Sequence, residues 1–421
     1  QQLILYRFDG LVKVITGIRR CGKSYLLKNI YRDYLLQNGV KGEQIITIEL
    51  DLAKDIKYRN PLILSSYVRE KVEKSKDEYY LFVDEIQMSD AVANPYNSDG
   101  KKITFYDALN DLRGLSNLDV YVTGSNSKFL SSDVVTEFRG RGDEIRVYPF
   151  SFAEFYSVIG GDWSDAWREY YTYGGMPLIL SKKTDEEKAK YLQDLFKETY
   201  IRDIEERNKI KNNDELEELI NVLASGIGCL TNPQKLVSTF NSVKHIGISL
   251  PTIKQYLDYL QDSFIINKVL RYDIKGKKYI STPSKYYFTD IGLRNARLNF
   301  RQQEETHIME NIIYNELNIR GYEVDVGEIG ILEKNRTGYT EKKIEVDFVA
   351  SKGSKKYYIQ SVLIMPTEEK KAQEERPLLK IADSFKKIII VKDNIKPYHD
   401  DNGIGFIGLK DFLLDMNSLD F

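Results

Sequence analysis

Cysteine is scarce in this 421-residue chain, which holds only Cys21 and Cys229. Two such residues build neither a disulfide framework nor a zinc-ligand spacing. That excludes a small cross-linked scaffold and favours a reducing compartment, the cytoplasm. Long apolar runs are missing too: none approaches the ~18 residues that a membrane helix needs, so no membrane span is expected. Neither sign of charge dominates, with 61 Lys and Arg against 63 Asp and Glu and a net charge of −2. A global pull toward nucleic acid or membranes is thereby excluded, and any basic surface has to be local. The opening residues Gln1-Gln2-Leu3-Ile4-Leu5-Tyr6-Arg7 lack the basic start and long apolar core of a signal peptide. They also lack an initiator Met, so the natural start is expected upstream. The length exceeds one compact core and points to about two to four domains.

What is present is concentrated near the start. Gly17-Ile18-Arg19-Arg20-Cys21-Gly22-Lys23-Ser24 follows the apolar run Leu11-Val12-Lys13-Val14-Ile15 and precedes an amphipathic stretch from Tyr25-Leu26-Leu27 to Tyr34-Leu35-Leu36. Strand, G-x-x-x-x-G-K-[ST] and helix in that order form a phosphate-binding P-loop. Glycine lets backbone N–H groups converge on phosphate without a Cβ in the way. Lys23 is expected to reach the β/γ oxygens and Ser24 to ligate Mg²⁺, with the positive end of the helix facing the same anion. Cys21 is either an acidified thiol at that helix end or a small filler residue.

Further strands are expected at 44–50, 79–85 and 119–126, alternating with helices around 62–74 and 104–115. The alternation predicts an α/β fold with a doubly wound, mostly parallel sheet. A further strand lies between the P-loop and the acidic strand, as in the additional-strand division of P-loop ATPases. Asp84 and Glu85 end the apolar run Tyr79-Tyr80-Leu81-Phe82-Val83. Asp84 is placed as the Walker B carboxylate for Mg²⁺ and Glu85 as the group polarising the attacking water. Ser125 and Asn126, at the tip of the next strand, would orient that water beside the γ-phosphate. Arg139 and Arg141 flank Gly140 and suit an arginine finger, in cis or from a neighbouring subunit. Pairing with Glu137 or Asp143 is the plainer alternative.

The P-loop, Val83-Asp84-Glu85-Ile86-Gln87, Val122-Thr123-Gly124-Ser125-Asn126-Ser127 and Val147-Tyr148-Pro149-Phe150-Ser151-Phe152-Ala153-Glu154-Phe155 together resemble the AAA-type ATPases of bacteria and archaea. The likeness is to the archaeal-type, STAND-like members that carry a C-terminal domain of unknown function. It implies ATP and Mg²⁺ as ligands. It also implies that a Gly-Gly-x-Pro turn, Tyr173-Gly174-Gly175-Met176-Pro177, lies near the nucleotide with Pro177 in contact. On pattern alone that turn simply ends a helix.

The expected organisation is a P-loop core over 1–160, a helical lid over 161–212, a winged helix-turn-helix over 213–300 and an α/β domain over 301–421. Three helical patterns followed by two strand-like runs support the winged helix, with 252–260 as its recognition helix. Residues 235–300 hold eight Lys, three Arg, four Asp and no Glu, a net charge of +7. Lys254, Lys275, Lys277, Lys278 and Lys285, with Tyr256, Tyr279, Tyr286 and Tyr287, are candidates for gripping double-stranded DNA through its backbone. A protein-contact module is the alternative. In the last region Glu310, Asp347 and Gln360 resemble the PD-(D/E)XK nuclease core, whose carboxylates gather around Mg²⁺. That core usually carries Lys two positions after the Gln. Val362 stands there instead, so a nuclease-like fold that has lost cutting activity is expected, unless Lys355 or Lys356 enters the site.

The leading functional expectation is an ATP hydrolase that moves a DNA- or partner-binding module. A STAND-like switch with little turnover and an ATP-dependent DNA nuclease are the alternatives. An oligomer is compatible with an arginine finger acting in trans.

Overall fold

The computed structural model describes residues 2–95, 100–124, 142–210, 213–243, 247–335 and 338–421. The backbone divides into two compact units, Gln1–Tyr148 with Asp262–Phe264, and Pro149–Gln261 with Ile265–Phe421.

In the first unit five strands, β1 (Val12–Thr16), β2 (Ile45–Glu49), β3 (Tyr79–Asp84), β4 (Leu118–Thr123) and β5 (Gly142–Arg146), form one sheet in the order β2-β3-β4-β1-β5. Every neighbouring pair runs parallel. The strand standing between P-loop strand β1 and acidic strand β3 is β4, while β2, the extra strand in sequence order, lies at the edge. Both faces of the sheet are covered, so the strands read as near-continuous apolar runs. Val12, Val14, Ile46, Ile48, Leu81, Val83, Val120 and Val122 face one core, packed by α2 (Pro61–Val72) and α3 (Phe105–Leu112). Ile15, Tyr80, Phe82, Tyr121 and Ile145 face the other, packed by α1. Helix α1 is the unbroken run Lys23–Tyr25, Leu26–Tyr31 and Arg32–Gln37. Helix α2 starts where Pro61 needs no N–H partner and Asn60 accepts from Leu62 and Ile63, then turns Leu64, Val68 and Val72 inward. Lys13 on β1 is fully buried, with its ammonium 2.6 Å from both Asp9 and Asp119. A buried ammonium is tolerated only because it is paired in this way.

The second unit begins with α4 (Phe152–Ile159) and α5 (Trp163–Tyr173), which share an aromatic core of Phe152, Phe155, Trp163, Trp167 and Tyr170. A helical run follows over Asp185–Asp194, Leu195–Ile201 and Arg202–Asn208. Next come α6 (Asn213–Ser225), α7 (Pro233–Val243) and α8 (Leu250–Asp262), then the hairpin β6 (Ile266–Asp273) and β7 (Lys278–Phe288). Thr231, just before α7, bridges antiparallel to Ser284 on β7. After α9 (Ile291–Arg297) and α10 (Glu305–Ile319) the chain forms β8 (Glu323–Asn335), β9 (Gly338–Lys352) and β10 (Lys355–Val362). It ends with α11 (Glu368–Leu379), β11 (Lys386–Val391), β12 (Tyr398–His399), β13 (Gly405–Gly408) and α12 (Leu409–Leu414).

Strand β6 pairs in parallel with β8 through Val326↔Arg271, so the hairpin continues one eight-stranded sheet of order β12-β13-β11-β10-β9-β8-β6-β7. Among the described residues, no helix is long and apolar enough to cross a membrane.

Candidate active site

Strands β1, β3 and β4 are adjacent and parallel, so their carboxyl ends meet at one edge of the sheet, where open α/β sheets place ligands. The loop after β1 demands unusual backbone. Gly17 has φ +139, and a Cβ there would stand 2.1 Å from the Val147 carbonyl oxygen. Arg20 and Gly22 also take positive φ, +63 and +103, before α1 starts at Lys23. The Lys23 side chain is buried and arches back over the loop, donating from Nζ to the carbonyls of Gly17 at 2.9 Å and Ile18 at 3.0 Å.

Asp84 is buried at the end of β3. Its Oδ1 accepts from Ser24 Oγ at 2.9 Å and from the Thr123 hydroxyl at the end of β4. Its Oδ2 lies 2.9 Å from Lys28 Nζ. Glu85 follows in a left-handed turn at φ +53, where its N–H donates to Thr123 Oγ1 at 3.2 Å and its carboxylate accepts from the Gln87 amide. Glu49 is the register partner of Asp84, and it reaches Lys28 at 2.5 Å and Lys54 at 2.9 Å. The paired carboxylates push the Lys28 ammonium up, against its partial burial, and the Lys28 hydrogen bond holds Glu49 below the usual carboxylate range.

These residues fit a nucleotide with Mg²⁺. The loop is a cradle that a side chain at 17 would fill, and a hydroxyl and a carboxylate meet at one point as hard oxygen donors. In the rest of the loop Ile18 is buried, Arg19 half-buried and Arg20 exposed. Cys21 is buried, its thiol 3.4 Å from the Val147 carbonyl, and burial pushes it up. Loss of water outweighs the nearby Lys23 charge, which favours the small filler residue over the acidified thiol. Ser125, Asn126, Arg139 and Arg141 lie outside the described residues.

The Gly-Gly-x-Pro turn is explained within the second unit. Gly174 has φ +72, and a Cβ on it would meet the Asp290 carboxylate at 2.4 Å. Gly175 donates its N–H to Asp290 at 2.7 Å, and its own Cβ would stand 2.2 Å from the Phe150 carbonyl oxygen. Asp290 is buried, which pushes its carboxyl up to about 6 against the N–H groups of Gly175 and Leu293. Pro177 opens the short turn Pro177–Ser181. Packing alone thus requires both glycines.

The C-terminal candidates gather around a lysine expected to contact DNA. Lys285, from β7, is buried with its ammonium 2.8 Å from Glu310 on α10 and 2.6 Å from Glu345 on β9. The Tyr287 hydroxyl donates to the same Glu310 oxygen. Burial works against the Glu310 charge, but Lys285 and the surrounding donors hold it below the usual range. Burial and then the charge of Glu310 push Asp347 up to about 8. Asp347 Oδ2 accepts from the Ser361 N–H at 2.8 Å, and Gln360 Oε1 accepts from the Asp347 N–H at 2.9 Å. Val362 is buried, Lys355 pairs with Asp420, and Lys356 lies over the rings of Tyr272 and Phe385. Neither of those lysines reaches the cluster. Among the described residues, no group of three or more His, Cys, Asp or Glu is arranged to hold a metal.

Lys254, Lys275, Lys277, Lys278 and Tyr279 are exposed, with Lys275 donating to the Gly330 carbonyl at 2.8 Å. Lys285, Tyr256, Tyr286 and Tyr287 are buried and face no solvent that DNA could enter. The latter four drop out as DNA contacts because they pack the unit's interior.

Sequence reasoning missed Lys28, Glu49, Thr123 and Asp290, and it assigned Lys285 to DNA rather than to the Glu310 cluster. Lys28 had a signal, four residues after Ser24 and so on the same helix face. Lys285 and Asp290 had none, because their partners are distant in sequence.

Residues 9–156 match the family model of the AAA domain, and residues 164–304 match that of a domain of unknown function. An uncharacterized protein of Haemophilus influenzae is 34% identical over 420 residues, covering 98% of this chain and 97% of its own. The uncharacterized protein MJ1544 of Methanocaldococcus jannaschii is 29% identical over 357 residues, 80% of this chain and 71% of its own. Among solved structures, the Aeropyrum pernix ORC1 protein in complex with DNA aligns with 68% of this chain and 86% of its own. That alignment has 12% identity and a TM-score of 0.26, too low to carry an argument. The chain therefore belongs to one family with the Haemophilus influenzae protein, and its residues 9–156 form a P-loop domain of the AAA type.

Proposed function

We propose that the chain is an ATPase that hydrolyses ATP with Mg²⁺ and uses the nucleotide state to move a DNA- or partner-facing module. The observation that carries this reading is the meeting of Ser24, Asp84 and Thr123 beside a loop closed by Lys23, with Glu85 one residue further on. In this reading the N–H groups of the loop and Lys23 hold the phosphates. Ser24 and Asp84 hold the metal, which neutralises charge on the transferring phosphoryl group when bound. Glu85 aligns the attacking water and accepts its proton. Asn126, Arg139 or Arg141 as finger, Arg19 and Arg20 of the loop, and Pro177 are the further residues assigned to the site on sequence grounds.

Helices α6, α7 and α8, the Thr231–Ser284 bridge and the β6–β7 hairpin support a winged helix. Exposed Lys254, Lys275, Lys277 and Lys278 would be its backbone contacts to double-stranded DNA. For Glu310, Asp347 and Gln360 we retain the reading of a nuclease-like fold without cutting activity. The apolar Val362 and the ammonium of Lys285 already bonded to Glu310 and Glu345 both favour it. A cytoplasmic location accords with the cysteine content.

The test is steady-state phosphate release with and without double-stranded DNA, run beside a size measurement. Stimulation by DNA that fades steeply with salt supports the coupled reading, since backbone contacts release counterions. A rate indifferent to DNA assigns the basic surface to a protein partner. Bound ATP without turnover marks a regulatory switch, and DNA cleavage with Mg²⁺ restores the nuclease.

A further inference from the structure

The Walker B carboxylate is gripped from two sides. Oδ1 of Asp84 takes the hydroxyls of Ser24 and Thr123, and Oδ2 takes the ammonium of Lys28 at 2.9 Å. Lys28 lies one helical turn beyond Ser24, so α1 presents both side chains to the end of β3. Glu49 secures that ammonium from the neighbouring strand at 2.5 Å, and Lys54 binds the other Glu49 oxygen at 2.9 Å. The result is a relay, Lys54–Glu49–Lys28–Asp84, ending at the pair of oxygens offered by Ser24 and Asp84.

We propose that Lys28 is a positioning residue of this site: it fixes the Asp84 carboxylate in the orientation that serves a divalent cation, and Glu49 fixes Lys28. This inference rests on reading the P-loop as a site for a metal–nucleotide pair. A carboxylate turns about its terminal torsion with little resistance. An ammonium bonded to one oxygen stops that rotation and leaves Oδ1 facing Ser24. Partners of this kind behind a metal ligand typically change metal affinity by about 10–100-fold. Two effects oppose each other at Lys28. Its charge repels a cation, and its hydrogen bond orients the ligand. Glu49 offsets the charge at 2.5 Å, so orientation dominates and loss of Lys28 weakens metal binding.

The experiment measures binding of a fluorescent ATP analogue to the full chain, once in EDTA and once across a Mg²⁺ titration. For Lys28→Met the expected result is a Mg²⁺ midpoint raised by about 10–100-fold, with affinity in EDTA unchanged. Lys28→Arg, which keeps the cation and its hydrogen bonds, should restore most of the loss. Glu49→Gln should shift the midpoint in the same direction by less, and it serves as the test if Lys28→Met fails to fold. A residue that merely glues α1 to the sheet would lower melting temperature without separating the two titrations. An unchanged or lowered Mg²⁺ midpoint in a folded Lys28→Met protein overturns the proposal. Absence of analogue binding by the unaltered chain removes the nucleotide reading itself, and this inference with it.

Discussion

The Asp84–Lys28 and Glu310–Lys285 clusters both combine a carboxylate with lysine, and they use the combination in opposite ways. At the end of β3, Asp84 has one oxygen on the hydroxyls of Ser24 and Thr123 and the other on a lysine that Glu49 steadies. Hydroxyls are neutral donors that exchange readily for a cation, so that oxygen remains a usable ligand. In the second unit the Lys285 ammonium is itself bonded to Glu310 and Glu345 while Tyr287 adds to Glu310, and Asp347 is spent on a backbone N–H. The charges there are already satisfied within the protein. Similar residues thus make a receptive site in one unit and a closed one in the other. Both lysines bridge two carboxylates; the difference is that Lys28 takes one Asp84 oxygen and leaves the other on hydroxyls, whereas Lys285 and Tyr287 share the same Glu310 oxygen.

The largest expected effect is on the receptive site. Lys23→Ala should abolish binding of an ATP analogue while circular dichroism stays unchanged, because the lysine closes over the loop rather than supporting the sheet. Unaltered affinity would defeat the phosphate-binding assignment. In the closed site the effect should fall on stability. Lys285→Met takes the buried ammonium from Glu310 and leaves it only the Tyr287 hydroxyl and His307, which costs up to about 3–5 kcal/mol and lowers the melting temperature by on the order of 10 °C. An unchanged melting temperature would show that the cluster is not held by its internal cation.

A smaller effect sharpens the same contrast through pH. Asp347 is raised from its ordinary value to about 8, so the folded chain holds that proton more tightly than the unfolded one. Its favourable contribution is complete below the unfolded value, near pH 4, and is lost as pH climbs through about 8. Asp347→Asn should flatten that decline in thermal stability between pH 5 and 8. A slope unaffected by the substitution would mean that Asp347 does not titrate there.

Much of the receptive site was legible because its parts are contiguous. The P-loop spans eight residues and Asp84-Glu85 directly end an apolar run, so strand, loop and helix reveal themselves by local pattern. Lys28 was visible in principle through its spacing from Ser24, but its purpose depends on Glu49 and Asp84 from two other strands. The closed site was only half legible. Glu310, Asp347 and Gln360 follow the spacing of a known core, yet Lys285 enters from a hairpin whose own pattern spoke for a separate basic module. The β6–β8 pairing that fuses that hairpin to the later strands joins residues 55 positions apart, such as Arg271 and Val326, and no local period encodes it. Likewise the Gly174-Gly175 pair reads as a plain turn until Asp290, 115 residues from Gly175, is packed against it.

The central claim is that the Asp84–Glu85 strand end performs hydrolysis, and Glu85→Gln tests it most directly. Phosphate release from ATP with Mg²⁺ should be measurable for the unaltered chain. It should fall by about 10²–10⁴-fold in the variant, the usual worth of a positioned general base, while binding of the ATP analogue persists. Equal rates from the two proteins, or no turnover by the unaltered chain despite bound ATP, would contradict the account.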